Sequence, residues 1–523
     1  MKPIKNVLFI LSDDQGSWAM GCSGNTDLKT PNLDRLASSG VRFENFYCAS
    51  PVCSPARASL LTGKIPSAHG VHDWLAKGQC DSSSLSDDLR AMFSKPDSET
   101  DYDYLWPKTQ LDGDEGIEYL KDHKTFTGVL HDNGWQCALS GKWHAGAANR
   151  PQCGFEDGWY TCAMGGQDYY NAVMLEDGKM TMRHGEYVTD LITDHAIDFL
   201  NGFDKDRPFC LCVHYSAPHS PWAAECHPKK YIDMYDGLPF DSVPEDPPHP
   251  WVSGVDQSFA DWKKKEHRGV RFIHANYAPI RETWHEYRQE SLRGYFAAVT
   301  AMDDSIGRLL DELDRLGLTE STLVVFTSDN GSNMGHHGIF GKGNGTYPPN
   351  MYATSVKVPG IFSCPGTVTE GVVRRENASH YDVFETVLDL CGVPYEQTSD
   401  MPGRSFASLL TGSATEAKGR DAICVDAVGD AVVFDEYGAT RMICDGKLKL
   451  VRRYPAGPDE LYDLDRDPGE YVNEIGNHAY SERIAALDDK LVRWYEKYVD
   501  PEFDGTKEDV KGKGQLTSHS FIQ

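Results

Sequence analysis

Four runs of mainly apolar residues stand out along the chain, and reactive polar residues follow each run within a few positions. An unbroken apolar run of this length is typical of a parallel-sheet strand that is covered on both faces. The runs and the polar residues that follow them are NVLFILS with Asp13 and Asp14, QCALSG with Lys142 and His144, PFCLCV with His219, and TLVVFTS with Asp329 and Asn330. Because sites in such sheets lie beyond the carboxyl ends of the strands, we predict that these polar residues share one crevice.

Helical patterns fill the intervals between the predicted strands. The stretch TPNLDRLASSG predicts a helix with Thr30 as N-cap, Pro31 in the first turn and Gly40 as the stop. Residues 291–318 repeat apolar positions at helical spacing and predict a long helix lying on the sheet. The pattern therefore predicts an α/β fold, with a large mixed, mostly parallel sheet sandwiched by helices.

The remaining segments indicate how the chain is organised. Residues 90–120 and 223–290 are less regular, and both are expected to be functional loops or covers over a site, with the 223–290 insertion covering the active site. After residue 410 the segments ICVDAV, AVVFDEY, RMICDG and KLKLVRRY alternate, and a helix is predicted near residues 484–498. We predict a catalytic domain over 1–410 and a subdomain of a small antiparallel sheet, a helix and a tail over 411–523.

Composition and charge narrow the function classes. The chain has 523 residues, of which 40% are hydrophobic and 25% charged, as in ordinary globular enzymes. A net charge of -28 argues against nucleic-acid and anionic-membrane partners, so an anionic substrate must meet a local positive cluster. Fourteen scattered cysteines and the lack of a leader pattern or membrane-length apolar run predict a cytoplasmic enzyme with reduced thiols.

The segment CSPAR holds the most specific candidate nucleophile. Cys53 stands two residues before Pro55 and four before Arg57, at the start of a helical pattern. A thiol beside an arginine at a helix N-terminus is expected to be reactive. The alternative is one more buried structural thiol, which is what most free cysteines are.

Six motifs in order make the chain resemble the type I sulfatases of the alkaline phosphatase superfamily. They are NVLFILSDDQ, the segment from TPNLDRLASSG through CSPAR to SAHG, SGKWHAG, APHSPW, TSDNGSNMGHHGIFGKG and ELYDLDRDPGE. The resemblance covers nearly the whole chain and implies an alkaline phosphatase-like fold. It also implies that a maturation enzyme oxidises Cys53 to formylglycine (3-oxoalanine).

The implied formylglycine explains why a cysteine is encoded at position 53. Its aldehyde hydrates to a geminal diol, of which one hydroxyl attacks sulfur and the other later expels sulfate. A simple thiol or alcohol would instead leave a stable ester. Unmodified Cys53 is therefore expected to leave the protein nearly inactive.

The resemblance also implies a metal site and a set of charged catalytic groups. Asp13, Asp14, Asp329 and Asn330 match the family's metal ligands, with residue 53 completing a shell for Ca²⁺ or Mg²⁺. Taken singly, Asp-Asp and Asp-Asn-Gly are more often loop caps or turns. The implied roles of the other residues are diol binding by Arg57, sulfate and diol contact by Lys142, a base at His144, and sulfate binding by His219 and Lys342.

Sugar recognition is the implied role of a second group of residues. His72, Asp73 and Trp74 resemble the HDW segment of sulfatases that act on carbohydrates, and Trp222 is a further candidate. A structural loop with a buried aromatic is an equally good interpretation of HDW.

The sequence thus predicts a sulfuric ester hydrolase acting on a sulfated small molecule or oligosaccharide, with a glycosaminoglycan-type sugar as the expected substrate. The acidic surface favours exo action on short chains over capture of a long polyanion. One alternative is a phosphonate monoester or phosphodiester hydrolase of the same superfamily. Another is a sulfated-glycan binding protein that is never matured.

Overall fold

The computed structural model describes residues 3–252, 255–256, 278–279, 284–412, 432–507 and 510. Most of the 253–283 part of the predicted insertion and the whole predicted segment ICVDAV lie outside the described residues. No helix in the described part of the chain combines the length and the apolar character needed to cross a bilayer.

A mixed sheet of ten strands forms the centre of the molecule. Its strands are β1 (Asn6–Ser12), β2 (Val41–Tyr47), β3 (Gln136–Lys142), β4 (Gly158–Cys162), β5 (Asn171–Glu176), β6 (Lys179–His184), β7 (Phe209–His214), β10 (Thr322–Ser328), β13 (Gly360–Ser363) and β14 (Val372–Ser379). Two short pairs lie outside it, β8 (Val255–Asp256) with β9 (Ala278–Pro279), and β11 (Asn333–Met334) with β12 (Phe340–Gly341). The strand order in the main sheet is β14-β2-β13-β10-β1-β7-β3-β4-β5-β6.

The four predicted strands are direct neighbours at the centre of this sheet. β10, β1, β7 and β3 run parallel to one another, and they are in register, so that Ser12 is opposite Ser328 and Gly141 opposite His214. All residues of the four strands are buried, as the unbroken apolar runs predict. Because the strands end at the same level, the polar residues that follow them meet at one edge.

Helices cover both faces of the sheet. They are α1 (Pro31–Ser38), α2 (Cys53–Thr62), α3 (Pro66–His69), α4 (Asp87–Phe93), α5 (Tyr102–Leu111), α6 (Phe126–Asp132), α7 (Val188–Gly202), α8 (Lys229–Ile232), α9 (Trp284–Leu316), α10 (Ala353–Val356), α11 (Val383–Cys391), α12 (Ala407–Thr411) and α13 (Ser481–Tyr498). α1, α7, α8 and α9 pack on one face, while α2, α6 and α11 pack together on the other. Alternate residues of β1 accordingly enter two cores, with Phe9 in one and Ile10 in the other. The predicted α/β architecture is confirmed.

Two predicted helices form with details that the sequence did not indicate. α1 has Thr30 at its N-cap and Pro31 in its first turn as predicted, but the Thr30 side chain makes no capping hydrogen bond. Instead the Asp303 carboxylate of α9 accepts from the backbone N–H groups of Asn32 at 3.0 Å and Leu33 at 2.8 Å. α9 itself begins at Trp284, earlier than the predicted start at Ser291.

A four-stranded antiparallel sheet follows near the C-terminus, as predicted. Its strands are β15 (Val433–Tyr437), β16 (Thr440–Cys444), β17 (Leu448–Arg453) and β18 (Glu460–Asp463), joined in sequence order. α13 packs on this sheet through Leu487 and Leu491. Glu436 of β15 accepts a hydrogen bond from the Ser67 hydroxyl at 2.9 Å, which fastens the small sheet to α3.

Candidate active site

The carboxyl ends of β1 and β10 bring three acidic residues and one amide together. Asp13 and Asp14 follow β1, and Asp329 and Asn330 follow β10, all with no exposed surface. Asp14 has φ of 61°, a left-handed conformation that turns the chain sharply after the strand. Burying several carboxylates side by side is costly unless cations compensate them, so this cluster indicates a charge-binding site.

Three oxygen atoms of this cluster have no hydrogen-bond partner among the described residues. They are Asp13 Oδ1, Asp14 Oδ2 and Asn330 Oδ1. The oxygens of Asp329 are engaged instead, since Oδ1 accepts from the Asn330 N–H at 2.8 Å and Oδ2 from Arg57 Nε at 2.8 Å. Ligand atoms of Asp13, Asp14, Cys53 and His219 lie within 4.8 Å of one another. Oxygen donors left open at such spacing fit a hard divalent cation.

Cys53 is the first residue of α2 and faces this cluster. Its side chain is 3% exposed, and Lys342 Nζ lies 2.7 Å from its Sγ. Burial raises the pKa of the Cys53 thiol to about 11, because the opposing effect of Lys142 and Lys342 is smaller. The expectation of a reactive bare thiol is therefore wrong, since at neutral pH this thiol stays protonated and is a poor nucleophile.

Cationic side chains surround the acidic cluster. Lys142 Nζ pairs with Asp13 Oδ2, and Lys342 Nζ pairs with Asp14 Oδ1. Burial alone raises the pKa of the Asp13 carboxyl, but Lys142, with His219 and Arg57, outweighs it and holds that pKa below its usual value. Three buried cations, Arg57, Lys142 and Lys342, thus balance the three buried carboxylates, and a divalent cation beside them would make the site net positive for a small anion.

His144 presents an unprotonated nitrogen to the site. It follows β3 with φ of 49°, and its Nε2 donates to the Leu75 carbonyl oxygen at 3.2 Å. The other nitrogen, Nδ1, has no hydrogen-bond partner in the described part of the chain. Burial, together with the charge of Lys142, lowers the pKa of His144 well below 6.5. The residue is thus a neutral imidazole that can accept a proton at Nδ1.

His219 lies at the opening of the site. Its side chain is 21% exposed, whereas those of Arg57, Lys142 and Lys342 are almost fully buried. Nδ1 donates to the Ser220 carbonyl oxygen at 2.8 Å, and Nε2 lies 3.7 Å from Asp14 Oδ2. Nε2 is therefore the nitrogen that faces the cluster and can exchange a proton there.

Two glycines of the β4–β5 connection pass directly over both histidines. A Cβ atom on Gly165 would lie 2.1 Å from the His144 ring, and one on Gly166 would lie 3.3 Å from His219 Cε1. The Gly165 N–H also donates to Gln79 Oε1 at 2.8 Å. The segment AMGGQ therefore positions the two imidazoles, and no bulkier residue fits at Gly165 without moving His144.

The Gly165→Ala variant is accordingly expected to lose roughly ten- to a hundredfold in kcat, because displacing a catalytic group by about 1 Å has effects of this size. Gly202→Ala is the matched control, since a Cβ at Gly202 meets nothing within 4 Å. Steady-state kinetics of both variants test this. A Gly165→Ala variant as active as Gly202→Ala would contradict the assigned contact.

The predicted sugar-binding residues differ in accessibility. His72 and Asp73 are buried, and Asp73 Oδ1 accepts from the Tyr437 hydroxyl at 2.6 Å and from the Trp74 N–H at 2.8 Å. Trp74 is only half-buried. Their role in substrate binding stays a prediction.

Trp222 lies behind the segment that carries His219. It is 1% exposed, and its Nε1 donates to the Pro218 carbonyl oxygen at 2.8 Å. Its ring packs edge-on against Tyr295 with centroids 6.0 Å apart. In this structure Trp222 therefore supports the His219 loop from within the core.

Some residues hold the site residues in place without belonging to the predicted set, and the sequence did not indicate them. Tyr295 of α9 donates its hydroxyl hydrogen to the Asp14 carbonyl oxygen at 2.9 Å and so holds the turn after β1. Gly165, which packs against the His144 ring, and Tyr437, which donates to Asp73, are likewise distant in sequence from their partners. The paired glycines in AMGGQ are the one signal that could have indicated a close approach of backbone to side chain.

Comparisons with known proteins agree with this geometry. The family model described as "Sulfatase" matches residues 5–393, and the model described as "N-sulphoglucosamine sulphohydrolase, C-terminal" matches residues 335–497. An N-acetylglucosamine-6-O-sulfatase of Bacteroides thetaiotaomicron is 29% identical, over 97% of this chain and 89% of its own. An arylsulfatase of Clostridium perfringens is 28% identical, over 97% of each chain.

Solved structures give the same answer for the fold. One, a complex with its substrate D-glucosamine-2-N,6-O-disulfate, matches with a TM-score of 0.70 and 26% identity, covering 97% of this chain and all of its own. The phosphonate monoester hydrolase of Agrobacterium radiobacter matches with a TM-score of 0.65 over 95% of this chain and 96% of its own, but at 19% identity this likeness concerns the fold alone. The chain therefore belongs to the sulfatase family and is a sulfuric ester hydrolase.

Proposed function

We propose that this enzyme removes sulfate from a sulfated amino sugar of the glycosaminoglycan type, acting on chain ends or short oligosaccharides. The N-acetylglucosamine-6-O-sulfatase and the complex with a glucosamine disulfate support the sugar class. The match of residues 335–497 to the C-terminal model of an N-sulphoglucosamine sulphohydrolase supports it independently.

The observation that carries the chemical part of the proposal is the arrangement around Cys53. Lys342 contacts the Cys53 sulfur, ligand atoms of Asp13 and Asp14 lie within 4.8 Å of it, and Lys142 pairs with Asp13. A sulfuryl group placed here would have positive charge directed at its oxygens. We assign Lys142 and Lys342 to that stabilisation.

Two groups that the sulfatase family implies fit this site. Asp13, Asp14, Asp329 and Asn330 would hold Ca²⁺ or Mg²⁺, and the thiol of Cys53 would be converted to the aldehyde of formylglycine by a maturation enzyme. The unpartnered oxygens and the poor nucleophilicity of the buried thiol both support this assignment. When present, the two groups supply a hydrated nucleophile and neutralise charge on the sulfate.

The two histidines divide the proton transfers between them. His144 accepts a proton at Nδ1, because its Nε2–H is bonded to the Leu75 carbonyl oxygen and its environment keeps the ring neutral. His219 gives a proton from Nε2 to the departing oxygen, since its Nδ1–H is held by the Ser220 carbonyl oxygen. Because His219 is the exposed member, we place the leaving sugar on its side, toward solvent.

The substrate size follows from charge. With a net charge of -28, the protein repels a long polyanion, whereas one sulfated sugar carries few negative charges toward the buried site. Exo action on monosaccharides or disaccharides is therefore the proposed mode.

Sulfate release from a panel of sulfated N-acetylhexosamines, N-sulfated glucosamines and sulfated disaccharides tests the proposal, using protein co-expressed with a formylglycine-generating enzyme. We expect turnover of a 6-O- or N-sulfated glucosamine, and faster release from it than from the matching polymer. Release from the polymer at a higher rate would overturn the exo mode. Turnover of aryl phosphonate monoesters but of no sulfated sugar would overturn the substrate class.

A further inference from the structure

An exposed tryptophan stands next to the opening of the active site, and neither the family motifs nor the reaction chemistry accounts for it. Trp106 of α5 is 49% exposed, the most exposed tryptophan among the described residues. It belongs to the less regular segment 90–120, one of the two insertions expected to be a functional loop or a cover over the site. A single exposed aromatic is common on protein surfaces, so its position has to decide whether it matters.

Trp106 is connected to His219 through one backbone contact. Its indole Nε1 donates to the Gly166 carbonyl oxygen at 3.0 Å. Gly166 in turn packs against the His219 ring, since a Cβ there would lie 3.3 Å from His219 Cε1. Trp106 therefore forms part of the rim on the side where His219 is exposed.

The helix that carries Trp106 is fixed to the sheet by the residues two and three positions before the indole. Asn171 Nδ2 donates to Asp103 Oδ2 at 3.1 Å, and the Tyr104 hydroxyl lies 2.8 Å from His184 Nε2. These contacts join α5 to the β5–β6 hairpin. The indole is thus held in place before any ligand arrives, which lowers the entropic cost of using it as a binding surface.

We propose that Trp106 is a specificity-determining residue that stacks against the ring of the sugar from which sulfate is removed. The inference rests on the proposed function, in which the leaving sugar lies outside His219. The negatively polarised face of an indole attracts the C–H groups on one face of a pyranose, and the ring also shields that face from water. Stacking on an indole does not require a positively charged side chain. It can therefore bind a sugar at the rim of a protein whose net charge is -28.

The test uses the matured full-length enzyme and the sulfated glucosamine that the wild type turns over. Trp106→Ala is expected to raise KM for this sugar about tenfold with little change in kcat, the size expected for one aromatic contact. Trp106→Phe keeps a ring but loses the N–H to Gly166, and it is expected to stay within about threefold of wild type. Val492→Ala, at an exposed position of α13, is the control for surface truncation.

Inorganic sulfate serves as the probe of the inner pocket, because it has no sugar ring. Its inhibition constant is expected to be the same in all four proteins. The stacking proposal is wrong if KM for the sugar rises as much in Trp106→Phe as in Trp106→Ala and the inhibition constant of sulfate rises in both variants. Trp106 would then act only by positioning Gly166. An unchanged KM in Trp106→Ala also overturns it.

This experiment distinguishes a failure of the stacking proposal from a failure of the proposed function. Sugar turnover by wild type together with an unaffected Trp106→Ala variant overturns the stacking role and leaves the proposed function intact. A wild-type enzyme that releases sulfate from no sugar overturns both.

Discussion

Cys53→Ala is expected to abolish sulfate release, with a loss of roughly three to six orders of magnitude, the range seen when a nucleophile is removed. The substitution takes away the side chain that the proposed maturation converts. Alanine is a good helix former at the start of α2, and the change removes one sulfur atom, so the fold is expected to persist. Sulfate release and thermal unfolding of the purified variant measure the two effects.

Two further variants make the Cys53 result specific. Cys53→Ser keeps a hydroxyl nucleophile but removes the thiol, and with a maturation enzyme that acts on cysteine alone it is expected to be inactive over many turnovers. Cys22→Ala, at a half-buried thiol beside Asp34, is the matched control and should keep the wild-type rate within about threefold. Wild-type turnover by Cys53→Ala would refute the assignment of the nucleophile, and mass analysis of the peptide around residue 53 would show whether the thiol is converted.

Asp14→Asn is the second substitution with a large expected effect, a loss of about a thousandfold or more in kcat/KM. Asp14 offers the open Oδ2, lies 3.7 Å from His219 Nε2 and pairs with Lys342, so its charge serves the cation site and the sulfate site together. Treatment of the wild type with a chelator should lower activity similarly, and Ca²⁺ or Mg²⁺ should restore it.

Thermal unfolding gives a readout of the cation that does not depend on activity. Ca²⁺ at about a hundred times its dissociation constant stabilises a binding protein by about 2.7 kcal/mol, so the wild-type Tm should rise by several degrees or less. Asp14→Asn should lose most of this rise, whereas Asp311→Asn, whose carboxylate is 70% exposed in a surface pair with Arg35, should keep it. An equal rise in Asp14→Asn and wild type would exclude Asp14 as a ligand.

The central architecture could be predicted because its signal is local and repeated. Each of the four inner strands is an unbroken apolar run, and each ends in Asp, Lys, His or Asn, so the crevice at the ends of β1, β3, β7 and β10 follows from pattern and sheet geometry. The antiparallel sheet near the C-terminus was likewise evident from short alternating segments.

What could not be predicted depends on contacts between distant segments. Thr30 looked like the cap of α1, but Asp303, more than 270 residues later, accepts the first N–H groups of that helix. The protonation of Cys53 is another case, since a motif shows nearby arginine and lysine but not the depth of burial that outweighs them.

The position of Trp106 at the rim of the site could not be predicted either, because it also depends on a contact between distant segments. Residues 90–120 carry no periodicity that distinguishes α5, and the closeness of Trp106 to His219 arises through Gly166 on the β4–β5 connection. The position of Trp222 is similar, because its amphipathic ring is compatible with a pocket wall and with the core, and only tertiary packing decides between them.

The burial of Cys53 would set the order of folding and of the proposed modification of its thiol. Lys342 reaches the Cys53 sulfur, and the N–H of Gly343 donates to the carbonyl oxygen of Pro51 at 3.1 Å, so a segment almost 300 residues downstream closes over the CSPAR stretch. Once the segment that contains Lys342 and Gly343 has docked, another protein cannot bind the CSPAR stretch in an extended conformation. An enzyme that converts the thiol would therefore act on the nascent or unfolded chain, and a molecule that folded first would lose access to the proposed activation.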